Sequence, residues 1–140
     1  MTVESVLVVD DEPDIRMIAA ISLSKVGRWR VTTVADGFAA LAHAILLRPS
    51  VILLDMMMPG TDGLETLQRL REDPRTLDIP VLFATAKVQR KEVERYLGEG
   101  ACGVVPKPFD PMLLPSQILQ ALGEASPSGA RAAGETTDAS

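Results

Sequence analysis

Short runs of aliphatic, largely β-branched residues recur along this chain, and each is followed by a stretch with helical periodicity. Residues 6–9, 51–54 and 81–84 are near-continuous apolar runs, 31–34 is more polar, and 101–105 is shorter and weaker. Strands that are apolar on both faces belong in a parallel sheet covered on both sides. The intervening segments supply that cover. Residues 13–26 place Ile15, Ile18, Ala19, Ser22 and Leu23 on one face, with Pro13 in the first turn and Gly27 past the end. Asp36-Gly37 opens a second helix, expected to turn Phe38, Leu41, Ala42 and Ile45 inward and to stop near Pro49. Residues 63–72 follow with Leu64, Leu67 and Leu70, and residues 87–98 with Val88, Val93, Tyr96 and Leu97. Residues 111–122 form the last helix, with Pro115 in its first turn. Five βα units in succession describe an α/β domain with right-handed crossovers.

Composition narrows what such a domain does. The 140 residues suit one compact unit, and 46% hydrophobic against 24% charged residues is ordinary for a globular fold. The single cysteine, Cys102, excludes an internal disulfide and any CxxC metal site. With 19 acidic against 14 basic residues and no Lys/Arg block, direct nucleic-acid binding is disfavoured. Asp10, Asp11 and Glu12 end the first apolar run too early for a signal peptide. His43, Arg48, Pro49 and Asp55 interrupt the aliphatic region 41–58, so no membrane insertion is expected and the location expected is cytoplasmic. Residues 1–122 are expected to form the domain. Residues 123–140, in which alanine is the only apolar type, are expected to be a flexible polar tail.

In an open α/β sheet, ligands sit beyond the carboxyl ends of the strands, where the strand order reverses. The first, third, fourth and fifth strand ends deliver Asp10-Asp11, Asp55, Thr85 and, just beyond, Lys107. Two βα units separate Asp10 from Asp55, and one separates each later pair, so distant polar residues meet in one cleft. Three crowded carboxylates resist full ionisation unless a cation neutralises them. With oxygen ligands alone the natural cation is Mg2+, for which Mn2+ can substitute. A carboxylate beside such an ion can attack a phosphoryl group, with Lys107 and the Thr85 hydroxyl contacting the transferred oxygens. The residues fit aspartyl phosphorylation.

The stretches VLVVDDEPDIR, LLDMMMPGTDG, FATA and PKPFD, in this order and spacing, resemble the response-regulator receiver domains of two-component signalling. The resemblance covers about residues 4 to 122. It implies a flavodoxin-like (βα)5 fold with parallel strand order 2-1-3-4-5. It makes Asp55 the phosphoacceptor, with Asp11, Asp55 and the Met57 backbone carbonyl as Mg2+ ligands and Asp10 acting mostly through water. Thr85 and Lys107 would bind the phosphoryl group, and the Lys107-Pro108 bond would be cis. The implied phosphodonor is a histidine kinase or a histidine phosphotransfer protein. The implied output is a protein target on the face formed by the fourth helix, fifth strand and fifth helix, in an apparently stand-alone domain. Not a turnover enzyme, the chain would assist only its own phosphorylation and dephosphorylation. One position departs from the family: the switch aromatic three residues before the lysine is Val104.

Blander roles stand beside these. Asp11 can cap the first helix, and Lys107 can be a structural ion-pair partner. His43 reads as a surface residue, Met56 to Met58 as loop and core packing, Cys102 as a small buried hydrophobe and Trp29 as packing at the second strand. Two rival functions remain. A haloacid-dehalogenase-like hydrolase would need an acid/base Asp where Met57 stands. A phosphorylation-independent binding module would leave the acidic cleft unused.

Overall fold

The structure is a computed structural model and describes residues 2–58, 60 and 62–123. Past Gly123, the tail expected over 123–140 lies outside the described residues. Strands β1 (Ser5–Val9), β2 (Arg30–Val34), β3 (Val51–Asp55), β4 (Val81–Thr85) and β5 (Gly103–Pro106) alternate with helices α1 (Pro13–Ile21), α2 (Gly37–Leu47), α3 (Gly63–Glu72), α4 (Arg90–Gly98) and α5 (Leu114–Ala121). The strands form one sheet in the order β2-β1-β3-β4-β5, and every pairing is parallel.

Alternation along each central strand divides the core in two. Leu7, Val9, Ile52, Leu54, Val81 and Phe83 pack with residues of α2, α3 and α4 on one face. Val6, Val8, Val51, Leu53, Leu82 and Ala84 pack with α1 and α5 on the other. Residues of β1, β3 and β4 in both layers are almost wholly buried, each large aliphatic side chain contributing about 1.5–3 kcal/mol of transfer free energy. Apolar runs without polar alternation therefore read correctly as strands covered on both faces.

Local chemistry sets the helix starts. The Asp36 carboxylate accepts from the Ala39 N–H at 2.8 Å, and that of Asp62 accepts from the Glu65 N–H at 2.8 Å, each satisfying a backbone donor with no intrahelical partner. α1 runs on into a π-helical turn over Ser22–Val26. Gly27 closes it, where a Cβ would lie 2.8 Å from the Leu23 carbonyl oxygen. Trp29 packs against the α1/α5 layer as expected.

Several expectations need correction. Phe38 and Ala42 point outward, not into the core. The sheet-facing side of α2 is Gly37, Ala40 and Ala44, small residues that let the helix lie close, and Leu41 and Ile45 are half-buried at its flanks. Phe38 instead lies under the Arg69 guanidinium, 5.8 Å from the ring centroid. Because α2 has no charged residue and apolar ones nearly all round, its periodicity does not identify the inner face. Ile18, Val88 and Leu97 are also partly exposed. Cys102 is exposed rather than buried; it lies just before β5, where its N–H donates to the Val81 carbonyl at 2.8 Å. α4 starts at Arg90, β5 at Gly103 and α5 at Leu114, each later than the pattern suggests. Residues 111–113 form a turn instead of helix, so Pro115 still falls in the first turn of α5.

Candidate functional site

The strand order reverses between β1 and β3, and the site lies at the carboxyl edge there. Asp10 follows β1 directly, with its N–H bonded to the Val34 carbonyl at 3.1 Å. Asp55 is the last residue of β3, and the next N–H, that of Met56, donates to the Ala84 carbonyl at 3.1 Å. Thr85 ends β4, opposite Pro106 in the register of β5. Proline has no N–H to give, and the Thr85 carbonyl accepts instead from Lys107 at 3.0 Å. That bond fixes the lysine beside the other strand ends. The Lys107-Pro108 peptide is cis, as the resemblance implies.

The expected residues converge. One carboxylate oxygen from each of Asp10, Asp11 and Asp55 lies within 4.8 Å of the others. Lys107 Nζ is 2.8 Å from Asp10 Oδ2 and 3.3 Å from Asp55 Oδ1. Asp11, Asp55, Met57, Thr85 and Lys107 line one open cleft of about 330 Å³, together with Glu12 and Ala86. Met57 is exposed, whereas Met56 and Met58 pack in the core.

Asp10, Asp55 and Thr85 are each more than nine-tenths buried. Asp10 Oδ1 accepts from the Glu12 N–H at 3.0 Å, and Thr85 Oγ1 accepts from the Lys87 N–H at 3.0 Å, leaving its own proton for another acceptor. Burial raises the pKa of Asp55; the Met57 N–H, 3.2 Å from Oδ1, lowers it, the Asp10 charge raises it, and Lys107 lowers it, with a net upward result. For Lys107, burial alone would lower the pKa, but the Asp10 hydrogen bond and the Asp10 and Asp55 charges outweigh it and raise the value.

This donor set suits a hard divalent cation. Three carboxylates against one ammonium leave two negative charges uncompensated, and every side-chain ligand atom is an oxygen. Asp11 is the most accessible of the three acids and does not cap α1, whose N-cap is Glu12 without a side-chain bond. His43 stays away from the site, half-buried on α2 with Nδ1 2.9 Å from the Ala39 carbonyl oxygen.

Four supporting residues have roles that the sequence alone does not reveal. Glu12 and Ala86 enter the cleft simply as neighbours of the strand ends. Arg16 donates from Nη1 to the Asp10 carbonyl at 2.7 Å, pinning the acidic turn to α1. Gly63 is the fourth: a Cβ there would lie 2.8 Å from the Asp55 carbonyl oxygen, from Met56 Cα and from Phe83 Cε1. In the sequence Gly63 is marked only by closing the stretch LLDMMMPGTDG, directly after Asp62.

A doubly wound parallel sheet with an acidic cleft and a half-buried lysine at its switch point is the architecture of receiver-type α/β signalling domains. The chain belongs to the response regulator receiver domain family, whose profile matches residues 6–119. It is 41% identical over 105 residues to the DNA-binding dual master transcriptional regulator RpaA of Synechocystis sp., covering 75% of this chain and 43% of that protein. It is 34% identical over 134 residues to the phosphate regulon transcriptional regulatory protein PhoB of Pseudomonas aeruginosa, covering 94% of this chain and 57% of that one. The chain thus spans about half the length of these curated relatives. Among solved structures, the chemotaxis protein CheY4 of Vibrio cholerae superposes with a TM-score of 0.78 at 32% identity, over 86% of this chain and 100% of that one. Receiver domains work in two-component signalling with histidine kinases or phosphotransfer proteins. No helix among the described residues is long and apolar enough to cross a membrane.

Proposed function

We propose that this chain is a cytoplasmic phosphoacceptor whose Asp55 takes a phosphoryl group from a histidine kinase or a histidine phosphotransfer protein. The observation that carries this reading is the contact of one ammonium, Lys107 Nζ, with both Asp10 and Asp55 beside a third carboxylate. In the transfer, an Asp55 carboxylate oxygen forms the new bond to phosphorus while the bond from phosphorus to the donor imidazole nitrogen breaks, and the imidazole leaves with its electron pair. Lys107 meets charge on the transferred oxygens, and the Thr85 hydroxyl donates one hydrogen bond to them. Asp11, Asp55 and the Met57 carbonyl would hold Mg2+, with Asp10 acting through water, and the ion supplies charge neutralisation on the phosphoryl oxygens.

Residues 1–122 act as the receiver unit, and phosphorylation shifts it between populations that differ in affinity for a protein target on the α4–β5–α5 face. The chain assists its own phosphorylation and hydrolysis and turns over no external substrate, because Met57 provides no acid/base group where a hydrolase would need one. Intact-mass analysis after incubation with acetyl phosphate and Mg2+ tests this. One added phosphoryl mass on the wild type and none on Asp55→Asn is the expected result. An unmodified wild type, or an Asp55→Asn variant that still gains the mass, refutes it.

A further inference from the structure

The sequence of α2, GFAALAHAILL, contains no Asp, Glu, Lys or Arg, although the helix lies on the surface. A surface helix normally turns charged residues to solvent, as α3 does with Glu65, Arg69 and Glu72 and α4 does with Arg90, Lys91 and Glu94. On α2 the outward line is Phe38, Ala42 and Leu46, spaced four residues apart, with Phe38 67% and Leu46 77% exposed. Burying such a stripe requires a complementary apolar surface.

The stripe is its own complement. Phe38 and Leu46 each lie four residues from Ala42, and the exposed Asp36 and Arg48 each lie six from it, one acidic and one basic. We propose that α2 is a self-association surface, on which a second copy of this chain packs its own α2 antiparallel about a two-fold axis through Ala42. Each Phe38 then meets the second copy's Leu46, the two Ala42 residues permit close approach at the axis, and Asp36 at one end faces Arg48 at the other. The opposed helix dipoles favour the same arrangement. An isologous contact of this kind makes every interaction twice.

The charged ends are held only at the surface. Arg48 donates from Nη1 to the Arg75 carbonyl and from Nη2 to the Asp78 carboxylate at 3.3 Å. With both charged side chains at least half exposed the ion pair holds little energy in water, so a second copy's Asp36 has to compete with these partners. Asp36 spends one carboxylate oxygen, Oδ1, on the Ala39 N–H. Arg69 over the Phe38 ring places a second cation at the rim.

The contact is small. An 11-residue helix is about 16 Å long and about 10 Å wide, below the area of a standard stable interface, so a weak, concentration-dependent dimer is expected. Sedimentation equilibrium on the full chain, from about 5 µM to about 1 mM, should show a monomer–dimer equilibrium in the wild type and only monomer in Leu46→Glu. Circular dichroism establishes that the variant is folded. In a Cys102→Ser background, Ala42→Cys should form a disulfide-linked dimer under mild oxidation, because residue 42 meets its own copy. Lys91→Cys on exposed α4 should not. A wild type that stays monomeric throughout overturns the proposal, whether or not it captures another protein. A dimer that survives Leu46→Glu, or equal cross-linking at 42 and 91, places the contact elsewhere and overturns it too.

Discussion

At the scale of single residues, the site is a balance between burial and charge. Asp55 sits almost out of solvent, and its pKa is raised above the ordinary value of 3.8. Between 3.8 and that raised value the folded chain holds a proton that the unfolded chain has released, so stability without Mg2+ falls as pH climbs through this window. Denaturant midpoints measured across pH in EDTA should show that decline in the wild type, and Asp55→Asn should flatten it; parallel curves would place the titration elsewhere. Gly63 carries a steric prediction. A methyl group there meets the Asp55 carbonyl and Met56 Cα, both backbone, at 2.8 Å, so Gly63→Ala should cost about 1–3 kcal/mol in urea unfolding and slow acetyl-phosphate labelling together. The acids, the threonine and the lysine were legible in the sequence because polar residues directly after apolar strands have few structural reasons to be there. Gly63 and Arg16 were not, since what they touch is set by neighbours distant in the chain.

At the scale of elements, β5 carries the one position that departs from the family resemblance. Val104 occupies the place of the switch aromatic and is half-buried against the layer that contains Phe83 and Tyr96. Aromatic bulk on this side of the sheet comes from β4 and α4 instead: the Phe83 and Tyr96 rings meet edge-on with centroids 5.3 Å apart, and Tyr96 is buried. Valine has no ring to swing between exposed and buried positions. Switching is therefore expected to move the loop after Thr85 and α4 itself. Comparing backbone amide shifts with and without beryllofluoride should reveal changes through residues 86–98. Changes confined to the loop around residues 56–62 would contradict this. Element types were readable from period and caps, whereas α2 was read correctly as a helix but with Phe38 and Ala42 on its inner face, where the structure turns them outward. A helix without a charged side chain has little to orient it, and the small residues that fit against the sheet are recognisable only once the sheet is present.

For the whole molecule, a cation held by the three acids would be coupled to folding, because they converge only when β1 and β3 lie side by side. At a free Mg2+ concentration 100 times the dissociation constant, linkage adds about 2.7 kcal/mol, or on the order of 8 °C in melting temperature for a chain of this size. Asp11→Asn should lose most of that shift in a thermal melt while leaving the melt in EDTA nearly unchanged; an undiminished shift would mean that the cation sits elsewhere. The arrangement of hydrophobic runs, capping acids and strand-end polar residues was enough by itself to determine the βα alternation, the parallel sheet and which five polar side chains meet at its carboxyl edge. These follow from local periodicity and from the rule that places ligands at the carboxyl edge. Tertiary structure alone decided that Lys107 bridges Asp10 and Asp55, that Thr85 borrows the lysine N–H because proline has none, and that α2 turns Phe38 and Leu46 to solvent. Each depends on distances between segments far apart in the chain, which close packing fixes and sequence spacing does not.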